Sequence, residues 1–299
     1  MTAKRPMLRG TLTALVTPFN RDGSIDFGAL DQLLVAQLAA GVSGFVPCGT
    51  TGESATLTAK EREQVVTRVV NFAAGRVPVV AGAGSNNTAA AAEAQKLVHG
   101  AGADYALVAS PYYNKPTPEG LYRHYAALAE AAPIPIILYN IPGRTAGDMK
   151  PELVGRIAQL KGIAGIKEAT GDLDRVTAIR ELCGTDFAIL CGEDNLTFPF
   201  VVLGGDGVIS AAANVAPKEM VEVTAAALTD DLAKARAVHA KLRPLVRALF
   251  LETNPIPMKA ALAMMDKVQE IYRLPLCEMQ AETRRQLASV LRAGGWLKP

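Results

Sequence analysis

The sequence predicts an α/β protein in which parallel strands alternate with helices, and three observations predict it. Short, apolar, β-branched runs recur eight times along the 299 residues. Longer stretches of helical period, with recognisable ends, fill the gaps between them. No Ser/Gly run, charge block or low-complexity segment breaks the series.

The eight runs are Leu12–Val16, Gly44–Cys48, Val77–Ala81, Tyr105–Ala109, Pro135–Asn140, Ile163–Glu168, Phe187–Cys191 and Gly207–Ser210. Their apolar character is continuous, which suits strands covered on both faces, as in a parallel sheet. Between them, Thr58-Ala-Lys-Glu61 reads as a capping box. Val65, Val66, Val69, Val70 and Ala73 follow as one apolar helix face. Pro118, Pro151 and Pro217 fall where a first helical turn starts, and Gly41, Gly75 and Gly162 follow helical runs as C-terminal caps. Eight strands with intervening helices fit a closed (β/α)8 TIM barrel better than an open doubly wound sheet. The barrel is expected to occupy residues 1–230. Residues 231–299 read as a helical region packed on it, with helices expected at Leu232–Leu251, Pro257–Met265 and Ala281–Arg292.

Composition excludes several functions. The chain is 49% hydrophobic and 20% charged, which argues against disorder. Its 31 basic and 29 acidic residues leave a net charge of +2, so nothing draws it to nucleic acid or an anionic membrane. Apolar runs such as Ile134–Tyr139 fall far short of the ~20 residues of a membrane helix. The start, MTAKRPMLRGT, has no apolar core of a secretion signal, so a cytoplasmic protein is expected. Cys48, Cys183, Cys191 and Cys277 form no C-x-x-C pair and read as buried free thiols in a reducing compartment. His99, His124 and His239 are scattered, so no metal centre is expected.

In such a barrel, chemistry sits just after the C-terminal ends of the strands. After the second run, Cys48-Gly-Thr-Thr-Gly-Glu-Ser54 offers amides and hydroxyls that suit a small carboxylate or phosphate, or it is an ordinary tight turn. After the fourth, Ser110-Pro-Tyr-Tyr-Asn-Lys-Pro116 holds two tyrosines that point apart: one to enter a site, the other to pack or meet a partner chain. The fifth ends in Leu138-Tyr-Asn-Ile-Pro-Gly-Arg144. With Leu138 toward the helices, Tyr139 faces the lumen. Arg144 suits a carboxylate through paired hydrogen bonds, or is an idle surface charge.

The sixth run, Ile163-Ala-Gly-Ile-Lys-Glu-Ala169, is the most informative. Alternation puts Lys167 and Gly165 on one face and Ile166 and Glu168 on the other. A lysine in an apolar strand is costly to bury charged, and a neutral amine forms a Schiff base with a carbonyl. Gly165 is expected to leave room for that amine. The plain alternative is a lysine that snorkels to solvent. Glu53, Glu168, Glu193 and Asp194 are expected to cap helices or brace loops rather than act as bases.

Together these windows suggest that Lys167 captures the keto carbon of a small 2-oxo acid. Tyr139 would carry protons, with Thr51 and Tyr113 passing them onward, and the Thr50/Thr51 loop would hold the carboxylate. At these residues the chain resembles the dihydrodipicolinate synthase and N-acetylneuraminate lyase superfamily. The resemblance runs from Leu12-Thr-Ala-Leu-Val-Thr-Pro-Phe19 to Asn254-Pro-Ile-Pro257. Its most specific parts are Gly49-Thr-Thr-Gly-Glu-Ser54, Tyr139-Asn-Ile-Pro-Gly-Arg-Thr145 and Gly165-Ile-Lys-Glu-Ala169.

The resemblance implies a Schiff-base lyase in which Lys167 binds pyruvate covalently, without pyridoxal phosphate, metal or other cofactor. It assigns Tyr139, Thr50 or Thr51, and Tyr113 to a proton relay, with Tyr113 supplied by the neighbouring subunit of a homotetramer. Thr51, Gly192 and Ile209 would surround pyruvate. Arg144 implies L-aspartate 4-semialdehyde as second substrate, in lysine and diaminopimelate biosynthesis. The alternatives are another pyruvate-dependent lyase or dehydratase acting on a sugar acid, or a non-catalytic keto-acid-binding protein. A lysine effector site of the family corresponds to Ser54, Ala55, Asn86 and Tyr112. Ala59, Arg62 and Ala90 replace its two histidines and glutamate, which implies weak or absent feedback by lysine.

Overall fold

Eight strands form one parallel sheet in the computed structural model, which describes residues 8–297. They are β1 (Gly10–Ala14), β2 (Gly44–Val46), β3 (Val80–Gly82), β4 (Tyr105–Ala109), β5 (Ile136–Asn140), β6 (Ile163–Glu168), β7 (Ala188–Cys191) and β8 (Gly207–Ser210). Pairing runs from β3 through β4, β5, β6, β7 and β8 to β1 and β2. The ring closes where Phe45 bridges Val79 in parallel and its N–H donates to the Pro78 carbonyl at 3.0 Å. The expected (β/α)8 barrel is therefore the fold.

Two strands are displaced from their expected positions, each for a local reason. β1 ends at Ala14 because the Val16 N–H is taken by the Asn214 side chain at 3.1 Å. β3 starts at Val80 because Pro78, within the expected run, has no N–H for a ladder.

Strand alternation divides the core into two layers. Leu12, Val46, Val80, Leu107, Ile137, Leu190 and Ile209 fill the lumen. Phe45, Val108, Leu138, Ile166, Ile189 and Val208 face outward and pack with the helices. Each such side chain contributes about 1.5–3 kcal/mol on full burial. Both faces being covered explains the unbroken apolar runs.

The helix ends follow their local chemistry. The Glu61 N–H donates to Thr58 Oγ1 at 3.2 Å, and the Thr58 N–H to Glu61 Oε2 at 2.9 Å, completing the capping box of helix Ala59–Ala73. Pro118, Pro151 and Pro217 open the helices Pro118–Ala131, Pro151–Ala158 and Pro217–Leu228. Gly41 and Gly75 lie just past helix ends, whereas Gly162 sits beyond the cap at Gln159, in the turn before β6.

After the barrel, helices Leu232–Ala248, Ile256–Met264 and Ala281–Ala293 follow. The first packs on Pro217–Leu228 and the third on the other two. Cys48 and Cys191 are buried, but Cys183 is half-buried and Cys277 exposed, so burial of all four thiols is corrected. Cys277 lies in an irregular segment between helices, where no layer covers it. Among the described residues, no helix is long and apolar enough to cross a membrane, and no cluster of His, Cys, Asp or Glu is arranged to hold a metal ion. Residues 1–7, which carry most of the N-terminal stretch read for a secretion signal, lie outside the described residues.

Candidate active site

The site is built at the ends of β5 and β6, whose register makes Tyr139 and Lys167 direct partners. Alternation sends both into the lumen, while Leu138 and Ile166 point to the helices. Lys167 is 7% exposed, and its Nζ lies 4.2 Å from the centroid of the Tyr139 ring. It makes no ion pair among the described residues. A buried amine held against a ring face, with no carboxylate in direct ion-pair contact, is unusual for a structural lysine. Gly165 has a packing role between the strands. A Cβ there would lie 2.5 Å from the Ala188 carbonyl oxygen, so the glycine permits close approach of β7.

The next pair in register, Asn140 and Glu168, faces outward and clamps the strand ends. Asn140 Nδ2 donates to Glu168 Oε2 and Asp148 Oδ1, both at 3.1 Å, and Asn140 Oδ1 accepts the Met149 N–H at 3.1 Å. Arg175 grips both oxygens of Asp148 at 2.7 Å. Its guanidinium holds the Asp148 carboxyl far below the usual carboxylate range, whereas burial pushes Glu168 up.

Above Lys167 a cavity of about 400 Å³ opens, lined by Thr50, Thr51, Tyr139, Arg144, Lys167, Gly192 and Ile209. The sequence singled out all seven. Thr51 is buried beside its loop, where Thr17 Oγ1 donates to the Gly52 carbonyl at 2.7 Å. The N–H groups of Gly52 and Glu53 turn back onto Gly49 and Thr50 carbonyls. Those of Thr50 and Thr51 meet no protein acceptor among the described residues. Gly192 allows β7 to pass close to β6: a Cβ there would lie 2.5 Å from the Ala169 Cβ. Arg144 is exposed, in the short helix Pro142–Thr145, and its Nη2 donates to the Asn254 carbonyl at 3.1 Å.

The fold does not bring Tyr113 into this cavity. Tyr113 is 91% exposed and Tyr112 45% exposed, at the tip of the loop after β4. That loop is tied back where Asn114 Nδ2 donates to the Asn86 carbonyl at 2.9 Å. None of Ser54, Ala55, Asn86 and Tyr112 lines the cavity. Arg62 Nη1 donates to the Gly82 carbonyl at 2.8 Å and its Nη2 to that of Ser54 at 3.3 Å, so a guanidinium is fixed beside this group.

The four acids take separate roles. Asp194 accepts the N–H groups of Ala211 and Ala212 at 3.1 and 2.9 Å, tying the β7 loop to β8. Glu168 belongs to the clamp, and Glu53 pairs with Lys259 at 2.6 Å, both side chains being wholly buried. Burial lowers the Lys259 pKa against the pull of Glu53. Glu193, by contrast, lines the cavity, and burial raises its pKa despite the charges of Lys167 and Arg144.

Sequence reasoning assigned no role to Phe250, Glu252, Thr253 or Asn254, which also line the cavity. The signal was present in Asn254-Pro-Ile-Pro257, whose paired prolines preclude an ordinary mid-helix reading.

A closed barrel with a buried amine and free amides at its C-terminal mouth defines a (β/α)8 enzyme-type site. The chain belongs to the dihydrodipicolinate synthetase family, whose model matches residues 7–294. It is 50% identical over 289 residues to the 4-hydroxy-tetrahydrodipicolinate synthase of Syntrophus aciditrophicus, covering 97% of this chain and 99% of that one. The crystal structure of dihydrodipicolinate synthase from Thermotoga maritima superposes with a TM-score of 0.95 at 45% identity, covering 98% of this chain and 100% of that one. The Acinetobacter baumannii dihydrodipicolinate synthase complexed with pyruvate gives a TM-score of 0.95 at 41% identity, covering 97% and 100% respectively.

Proposed function

We propose that this chain condenses pyruvate with L-aspartate 4-semialdehyde to give 4-hydroxy-tetrahydrodipicolinate, a step in lysine and diaminopimelate biosynthesis. The observation that carries the reading is the unpaired Nζ of Lys167 against the Tyr139 ring, at the floor of a cavity with unsatisfied amides.

The Lys167 lone pair attacks C2 of pyruvate, and its carboxylate is held by the Thr50 and Thr51 amides. Tyr139 protonates the carbinolamine oxygen, water leaves, and a protonated imine forms. A methyl proton then departs, and its bonding pair becomes the enamine double bond as the imine pair returns to nitrogen. The enamine carbon attacks the aldehyde, whose oxygen takes a proton. The amino group of the adduct displaces Lys167 from C2 and closes the ring. The protonated imine is itself the electron sink, so no cofactor or metal is assigned a step.

Gly192 and Ile209 border the pyruvate, and Arg144 binds the carboxylate of the semialdehyde. That arginine favours an amino-acid aldehyde over a sugar acid. Tyr113 completes the proton relay from a neighbouring copy, which fits its exposure at a loop tip and calls for at least a dimer, two of which would make the homotetramer. The enzyme works in the cytoplasm on small-molecule substrates.

The test is incubation with pyruvate and borohydride, followed by intact mass and peptide mapping. One reduced adduct at Lys167 is expected; its absence overturns the mechanism. Turnover of the semialdehyde against sugar acids checks the second substrate.

A further inference from the structure

Two glutamates line the cavity above Lys167, and they differ in what holds them. The Glu252 carboxylate is committed to the start of helix Ala281–Ala293, where it accepts the Gln280 N–H at 2.9 Å and the Thr283 hydroxyl. The Glu193 carboxylate accepts no hydrogen bond and makes no ion pair among the described residues. Its backbone is nevertheless braced. The Glu193 carbonyl accepts the Leu196 N–H at 2.9 Å and lies 3.1 Å from Cys191 Sγ, and the next residue, Asp194, is bound to Ala211 and Ala212. A half-buried carboxylate on such a turn is set to receive a donor from whatever fills the cavity.

The neighbouring charges indicate which donor. Burial and the charge of Asp194 raise the Glu193 pKa, and the charges of Lys167 and Arg144 both pull it back. Glu193 thus stands in the field of two cations without an ion pair to either. A ligand with only a carboxylate would pair with Arg144 and leave Glu193 bare. An α-amino acid carries a carboxylate and an ammonium on one carbon, so it offers each of the two side chains its opposite charge. We infer that Glu193 is a specificity-determining residue that takes the α-ammonium group of the second substrate, while Arg144 takes its carboxylate. The inference rests on the reading of that substrate given above, and adds a cation-recognising half to a subsite otherwise assigned only an anion. A sugar acid presents hydroxyls instead, whose hydrogen bonds to a carboxylate lack the strengthening of a second charge.

The experiment compares two aldehydes on the full chain: L-aspartate 4-semialdehyde, and succinate semialdehyde, which keeps the carboxylate but lacks the amino group. Glu193→Gln removes an anion from the field of Arg144 and Lys167, so the two aldehydes should respond with opposite signs. The variant should lose about 10–100-fold in kcat/KM for L-aspartate 4-semialdehyde, the loss of one hydrogen bond between charged groups. The inhibition constant of succinate semialdehyde should stay the same or fall. Glu193→Asp keeps the charge on a shorter stem and should recover part of the loss. The pyruvate–borohydride adduct at Lys167, read by intact mass, should form in both variants, which establishes that they fold. Equal weakening of both aldehydes, or an unchanged kcat/KM for L-aspartate 4-semialdehyde in the Gln variant, overturns the role of Glu193. Should the Gln variant not fold, an Asp variant that weakens both aldehydes equally overturns it too. An unaltered chain that forms the adduct but does not turn over L-aspartate 4-semialdehyde instead overturns the substrate reading, and the role of Glu193 with it.

Discussion

Asn140 and Glu168 are hydrogen-bonded at 3.1 Å on the outer face of β5 and β6, one residue beyond the register pair Tyr139 and Lys167 in the lumen. The Tyr139–Lys167 pair on one side of the sheet is thus braced by a polar clamp on the other. The separation of phenol and amine is set by the spacing of two backbone strands, not by a flexible loop.

Tyr139→Phe keeps the ring beneath the amine and removes only the hydroxyl. It should lower kcat by about 10²–10³-fold while the Lys167 adduct still forms, more slowly, with borohydride. A coupled assay and time-resolved intact mass check both halves.

Arg144→Ala should reduce kcat/KM for the semialdehyde by about 10²-fold or more and leave the pyruvate adduct unchanged. Arg144 is exposed and its hydrogen bond to Asn254 lies at the rim, so the melting temperature should barely move. Steady-state kinetics against each substrate separates the two effects.

Lys259→Met leaves the Glu53 carboxylate buried without its cation, which should cost about 3–5 kcal/mol. Glu53→Gln combined with Lys259→Met removes both charges and should recover most of that loss. Equilibrium denaturation of the three chains measures it, and a double variant no more stable than Lys259→Met would contradict this account of the pair.

His124 provides a pH dependence. It is 5% exposed, its Nδ1 lies 2.9 Å from Thr88 Oγ1, and burial lowers its pKa to about 4. An unfolded histidine titrates near ~6.5, so between these values the unfolded chain binds the extra proton. Stability is present above that window and falls as pH drops through it, by about 1–2 kcal/mol from pH 7 to pH 5. His124→Gln should flatten the stability profile across this interval, measured by urea unfolding at each pH.

Lysine should bind weakly or not at all beside Ser54, Asn86 and Tyr112. The Arg62 guanidinium is already tethered to the Ser54 and Gly82 carbonyls and would repel a cationic amino acid. Calorimetry with millimolar lysine checks this, and tight inhibitory binding would refute it.

Much of this molecule was legible in the sequence because two periodicities dominate it. Unbroken runs such as Ile136–Asn140 mark strands covered on both faces, and Thr58 with Glu61 marks a helix start. Lys167 stood out as a charge inside such a run. The partners that hold it in place did not, because they are distant in sequence: Asn140 to Glu168, Glu53 to Lys259, Thr51 to Asn254. The close approach of Gly165 to Ala188 was hidden for the same reason, since Ala188 lies on another strand. Exposure at Cys277 was missed because local sequence does not reveal what packs over an irregular segment.

Phe250, Glu252, Thr253 and Asn254 border the mouth although they belong to no strand of the barrel. The cavity is therefore walled from two sources: strand ends and loops of the barrel supply Lys167, Tyr139 and the threonines, and the stretch that follows the barrel supplies the remaining rim. Residues outside the (β/α)8 core can therefore be exchanged to reshape the rim of this cavity while the strand ends that carry Lys167 and Tyr139 stay as they are.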